Sequence, residues 1–169
     1  MKAKNPSFKA LISNPIHFLA FGFGSGLSPV APGTVGTLMA VPLLFLLAQL
    51  NLVGFVLVTV IVSLAGIYIC GKTARDMGVH DHGGIVWDEF AGYFITMLPL
   101  QTLGSVYEPG YWFIALIGFI AFRFFDALKP WPISWFDKNI EGGLGIMLDD
   151  IIAALPSLAV VQLFVYYFW

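Results

Sequence analysis

Cys70 is the only cysteine in the chain, which excludes an internal disulfide and any zinc site built from several thiolates. Charge is almost as scarce. Charged residues make up 11% of the 169, against about 25% in a soluble domain, too few to cover a water-facing surface. The net charge of -2 is too small to argue for nucleic acid, and no basic stripe exists to track phosphates. Internal repeats, low-complexity tracts and linkers are absent, so residues 1–169 read as one domain. No short apolar core with a small-residue cleavage site follows the basic start, and the N-terminus is expected to be retained.

What fills the chain is apolar: 59% of residues are hydrophobic, with 16 Phe and 5 Trp, and the mean hydropathy is +0.86. A helix needs about 20 such residues to cross a hydrocarbon core. Runs of this kind cover 34–50, 52–71, about 86–103, 111–128 and about 150–169. They predict an all-α, polytopic membrane protein with about five transmembrane helices. The third run is short and contains Asp88, Glu89 and Pro99; the fifth carries Pro156 and ends in Tyr-Tyr-Phe-Trp, an interfacial anchor. Residues 5–20 mix apolar and polar positions and read as an N-terminal interfacial segment lying on the bilayer. All eight Lys and Arg (Lys2, Lys4, Lys9, Lys72, Arg75, Arg123, Lys129, Lys138) fall on one side of this topology. The positive-inside rule makes that side cytoplasmic.

Four polar clusters interrupt the apolar runs, all at that same face. Asp88-Glu89 sits where the third run begins, a costly place for carboxylates. Helix capping explains one of them, and the small Ala91 and Gly92 beyond would let another helix approach closely. Asp149-Asp150 opens the fifth run after Gly142-Gly143-Leu144-Gly145, read as flexible, and taken alone is compatible with a helix cap. Arg123 and Asp126 share a helix face and can pair locally, with Lys129-Pro130-Trp131-Pro132 following at once. Gly22–Thr37 reads GFGSGLSPVAPGTVGT. Its glycines allow close approach of backbone to an anion, and a helix starting near Thr34–Thr37 would aim amides at phosphate. A re-entrant loop that merely turns is equally compatible.

Five carboxylates (Asp88, Glu89, Asp126, Asp149, Asp150) around one locus form a hard oxygen set of the type that suits Mg²⁺. His80-Asp81-His82 is a weaker metal signal, and a turn before Gly83-Gly84 explains it better. Cys70 and Arg75 lack the spacing of a cysteine phosphatase, and neither an Asp-x-Asp motif nor a Gly-x-Ser-x-Gly elbow occurs. Water activated by a metal is therefore the more economical chemistry. Together these features point to a membrane enzyme acting on a charged lipid headgroup.

Along these blocks the chain resembles the bacterial phosphatidylglycerophosphatase A family. The resemblance rests on GFGSGLSPVAPGTVGTL (22–38), HDHGGIVWDEFAGY (80–93), FRFFDALKPWPISWFD (122–137) and GGLGIMLDDIIA (142–153). It implies a Mg²⁺-dependent, multi-pass inner-membrane phosphatase that converts phosphatidylglycerophosphate to phosphatidylglycerol with its site facing the cytoplasm. The family's motif residues fall on Asp88, Glu89, Arg123, Asp126, Lys129, Asp149 and Asp150. Asp88, Glu89, Asp149 and Asp150 are the expected metal ligands, and Asp126 a further ligand or base. Ser25, Ser28, Gly33, Thr34, Thr37, Arg123 and Lys129 are expected to bind the phosphomonoester of the membrane phospholipid. Two other classes would also place charges at this face. A lipid-phosphate transferase would carry an Asp-Gly-x2-Ala-Arg signature that is missing. A transporter or scaffold would carry midplane polar residues and paired halves, which are not found. Oligomeric state is not legible in the sequence.

Overall fold

A computed structural model describes residues 5–80, 82–103 and 109–168, apart from the side chains of 109, 137 and 138. Lys2, Lys4, Asp81, Trp169 and the Lys138 side chain, all used above, lie outside the described residues. Every regular element among those described is helical: α1 (Phe8–Ile12), α2 (Pro15–Ala20), α3 (Pro32–Leu47), α4 (Leu52–Asp76), α5 (Trp87–Thr96), α6 (Pro109–Leu128), α7 (Ile133–Asn139) and α8 (Gly142–Phe168), with 3-10 segments at Gly22–Leu27 and Leu98–Thr102. α8 is the hub and packs on α4, α5, α6 and α7.

Local chemistry sets the helix ends. The Asn51 side chain caps α4 by accepting the Gly54 amide at 2.8 Å. Past its C-terminus Gly78 takes a left-handed φ of 66°, and the Gly78 and Val79 amides fold back onto the Arg75 and Ala74 carbonyls. Inside the helices Thr59, Ser63, Thr96 and Ser157 donate their hydroxyls to carbonyls four residues back. No polar hydrogen of theirs is then offered to lipid.

Helices α4, α6 and α8 are long and apolar enough to cross a membrane. The expected count of about five spans is not reproduced by length. Helix α3 has 16 residues, about 24 Å. The third expected span, over 86–103, is broken. Helix α5 stops after 10 residues, and the chain tightens into the 3-10 segment around Pro99, whose ring and missing amide cannot continue an α-helix. Almost all of α5 is buried, so it is a half-length helix enclosed by α3, α4, α6 and α8. α1 and α2, with 5 and 6 residues, are too short to span.

The fifth run also differs from its expected form. Helix α8 starts at Gly142 rather than near 150, so Gly142–Gly145 belongs to the helix and Asp149-Asp150 lies within it, not at its cap. The reason is packing. A Cβ on Gly143 would lie 1.9 Å from the Ile67 carbonyl oxygen of α4, and one on Gly66 of α4 would lie 2.4 Å from Met147 Sδ. Small residues let these two long helices touch backbone to backbone. Gly92 does the same for α5, where a Cβ would meet Phe122 of α6 at 2.5 Å and the Asp150 carbonyl at 3.1 Å. The close approach expected at Ala91-Gly92 is realised.

The contacts also bring the polar helix ends to one level. From Asp126 back to Pro109 in α6, and from Asp150 on to Phe168 in α8, the helical rise is about 26–27 Å, close to the roughly 30 Å of a hydrocarbon core. Each stretch is therefore long enough to cross most of such a core with its acidic residues at one end. Replacing Gly143 by Ala should force α4 and α8 apart and destabilise the fold by about 1–3 kcal/mol, seen as a lower thermal midpoint in detergent. Leu144→Ala, at a position 46% exposed, should shift it less; equal midpoints for wild type and Gly143→Ala would refute the close packing.

Candidate active site

Four helices deliver the charged residues. Asp88 and Glu89 occupy the first turn of α5, Arg123 and Asp126 the last turns of α6, Asp149 and Asp150 the interior of α8, and Gly33 to Thr37 the start of α3. Lys129 follows α6 directly. It takes a φ of 42°, the left-handed geometry that ends many helices and usually falls to Gly, and its amide closes on the Phe125 carbonyl at 2.9 Å. With Pro130 next, the helix cannot continue.

Two ion-paired groups result. Arg123 Nη1 pairs with Glu89 Oε2 and, at 2.8 Å, with Asp126 Oδ2. The local pair open to the sequence therefore exists and extends to α5. Thr37 donates its hydroxyl to the same Glu89 Oε2 at 2.6 Å, with the Gly33 carbonyl a second acceptor at 3.0 Å. In the second group Lys129 Nζ pairs with Asp149 Oδ2, while Asp149 Oδ1 accepts the Asp150 amide at 3.1 Å. Asp126, Asp149 and Asp150 each offer a carboxylate oxygen within 4.8 Å of the others, and all three are buried. Asp150 Oδ2 has no hydrogen-bond partner among the described residues although Asp150 is only 3% exposed. Asp88 is partly exposed and accepts the Glu89 amide at 3.0 Å. Of the five predicted carboxylates, Asp126, Asp149 and Asp150 cluster, Glu89 is joined to them through Arg123, and Asp88 neighbours Glu89 in the first turn of α5.

Their contacts fall into two sets. Glu89, expected as a ligand, is turned to α3 and α6, held by Thr37 and Arg123, while Asp126 joins Asp149 and Asp150 in the tight triad. Thr37, expected on the phosphate, bonds to Glu89 instead. Gly33 lies against the same pair: a Cβ there would sit 2.2 Å from Glu89 Oε1 and 3.1 Å from Arg123 Nη2. Thr34 is partly buried in the first turn of α3, which has no side-chain cap. Ser28 turns its hydroxyl onto the Val30 carbonyl at 2.8 Å, and the Ser25 hydroxyl oxygen is buried without a partner among the described residues. The amides of Gly24, Gly26 and Ser28 bond to carbonyls of Phe21 and Ser25 inside the loop. The loop's glycines serve the fold. Gly22, Phe23 and Gly24 run left-handed at φ 54°, 58° and 96°, and a Cβ on Gly26 would lie 2.0 Å from the Gly84 carbonyl oxygen. His82 belongs to that turn, its Nδ1 accepting the Gly84 amide at 3.0 Å, as the turn reading anticipated.

Sequence reasoning missed the Thr37–Glu89 contact, which joins residues 52 apart, and the Trp87 indole, which donates to the Val62 carbonyl at 3.0 Å and ties the first turn of α5 to α4. Only the placement of Trp87 beside Asp88 hinted at the latter.

With all groups ionised, five carboxylates (Asp88, Glu89, Asp126, Asp149, Asp150) against two cations (Arg123, Lys129) leave a formal charge of -3. A phosphomonoester dianion is repelled by such a site unless further positive charge enters. Residues 18–165 match the family model described as Phosphatidylglycerophosphatase A. The chain belongs to the phosphatidylglycerophosphatase A family. It is 49% identical to the Phosphatidylglycerophosphatase A of Escherichia coli, over 94% of this chain and 87% of that protein. It is 47% identical to the Phosphatidylglycerophosphatase A of Haemophilus influenzae, over 100% of this chain and 99% of that protein. A more distant relative is the "Putative phosphatidylinositol-3-phosphatase" of Bacteroides thetaiotaomicron, 34% identical over 91% of this chain and 92% of that protein. No solved structure was found to match the chain. The phosphatidylglycerophosphatase A match takes in every charged residue of the site.

The Thr37–Glu89 contact is testable through stability. Thr37→Val keeps the shape but removes the donor to a buried carboxylate, and should cost about 1.5–3 kcal/mol, read as a lower thermal midpoint; Thr37→Ser should recover most of it. A Thr37→Val protein that melts with wild type would show that the hydroxyl does not hold Glu89.

Proposed function

We propose that this protein hydrolyses the terminal phosphomonoester of phosphatidylglycerophosphate, releasing inorganic phosphate and leaving phosphatidylglycerol, at the cytoplasmic face of the bacterial inner membrane. The substrate is the one named for its relatives in Escherichia coli and Haemophilus influenzae. The observation that carries the reading is the buried triad Asp126, Asp149 and Asp150, with Asp150 Oδ2 unpartnered among the described residues and two cations on its rim. The sidedness rests on the one-sided distribution of Lys and Arg.

The residues fit a Mg²⁺ ion: hard carboxylate oxygens, few in number, three of them within 4.8 Å of one another and one without a hydrogen-bond partner among the described residues. Asp126, Asp149 and Asp150 would hold it, with Asp88 adjoining. When bound, Mg²⁺ supplies Lewis acidity toward phosphate oxygen and makes water a better nucleophile near neutral pH. Arg123, fixed by Glu89 and Asp126, presents its guanidinium to the phosphate at a set position, and Lys129, paired with Asp149, adds the second positive charge. Asp88 keeps partial exposure where the other four carboxylates are buried, so it has access to incoming water and would accept its proton. The first-turn amides of α3, beside Gly33, add dipole at the phosphate. In balance, water's oxygen bonds phosphorus, the P–O bond to glycerol breaks, and the departing oxygen takes up a proton. Because the site lies at the slab boundary, the acyl chains stay in the bilayer throughout.

Purified protein in mixed micelles should release phosphate from phosphatidylglycerophosphate with Mg²⁺ and stop when a chelator is added. Asp150→Asn and Asp88→Asn should each lower kcat by roughly 10²-fold or more with unchanged elution in detergent. Release that survives chelation, or near wild-type turnover in both variants, would overturn the reading.

A further inference from the structure

The two cations of the site are held in different ways. Arg123 is pinned between Glu89 and Asp126, and its side chain is 18% exposed. Lys129 reaches Asp149 from the rim, with 30% of its side chain exposed against 10% for the carboxylate it grips. Its backbone is anchored by the left-handed φ of 42° and by Pro130, while four flexible methylenes separate that root from the ammonium. Asp149 has both oxygens engaged, Oδ1 by the Asp150 amide and Oδ2 by Lys129. Any cation that enters the triad therefore meets the Lys129 ammonium already on one of its three carboxylates.

We propose that Lys129 is an internal counter-ion that holds Asp149 in the resting site, yields that carboxylate to an incoming divalent cation, and so delivers its own charge to the phosphate. This rests on the divalent-cation reading above. Loading of the site and presentation of the second positive group then become one event, and in the resting site Asp149 is not left without a counter-charge beside Asp150. Like charges that share one carboxylate repel, so Lys129 weakens cation binding while it strengthens phosphate binding. A residue that only braced α6 against α8 would move neither quantity in opposite directions.

The test is Mn²⁺ affinity, measured by electron paramagnetic resonance on the full-length protein in detergent without lipid substrate. Lys129→Met should bind Mn²⁺ roughly tenfold more tightly than wild type while phosphate release with Mg²⁺ falls. Lys129→Gly, whose residue suits the left-handed backbone, should tighten binding equally and guards against a folding defect. Mn²⁺ affinity equal to or weaker than wild type in both variants overturns the proposal. If wild type binds no Mn²⁺, or Asp150→Asn binds it as well as wild type, the divalent-cation reading itself fails, and the counter-ion proposal with it.

Discussion

The arrangement depends on one constraint: three carboxylates share a buried space and must be compensated there. Oxygens of Asp126, Asp149 and Asp150 lie within 4.8 Å of one another. At an effective dielectric of about 20, each ionised pair at such a distance repels by roughly 3 kcal/mol. Three pairs together rival the whole stability of a typical domain, about 5–15 kcal/mol. Arg123 and Lys129 offset part of this, and a divalent cation would offset the rest. The cost explains why the site is framed so heavily, with Thr37 and Gly33 backing Glu89, Glu89 holding Arg123, and Arg123 holding Asp126.

The framing is possible because the helices can touch. Gly66 and Gly143 bring α4 against α8, and Gly92 brings α5 against α6 and α8. A half-length α5 is the consequence that matters most. By ending at Thr96 it fits wholly inside the bundle, and its first turn carries Asp88 and Glu89 to the boundary where α6 ends. Membrane boundary and active-site level are thus set by the same contacts.

Much of this was legible in the sequence. Basic residues at one set of helix ends, and acidic pairs falling at that same level, are one-dimensional signals, and carboxylates from α5, α6 and α8 come together as they suggest. Hydropathy fixed α4 and α6 well because their outer faces are in lipid. It failed for α5, since a helix buried in protein and one buried in lipid look equally apolar, and only Pro99 marked the break. The run Gly142–Gly145 looked flexible because glycine's low helix propensity is visible in sequence, whereas the Ile67 carbonyl that needs the missing Cβ is not. The same holds at Gly26 and Gly84. There, glycine richness that suggested a phosphate cradle reflects two loops in backbone contact. The contacts of Glu89 with Thr37 and Arg123 were not legible, because those partners lie on other helices and charge type alone does not show which groups a carboxylate meets.

The most direct test of the central claim is pulsed electron paramagnetic resonance on Mn²⁺-loaded protein in lipid nanodiscs, with a non-hydrolysable phosphonate analogue of the lipid. Coupling between the manganese spin and the phosphonate phosphorus, lost in Asp150→Asn, is the predicted result. Manganese that binds without phosphorus coupling, or couples equally in the variant, would contradict a cation held between the triad and the phosphate.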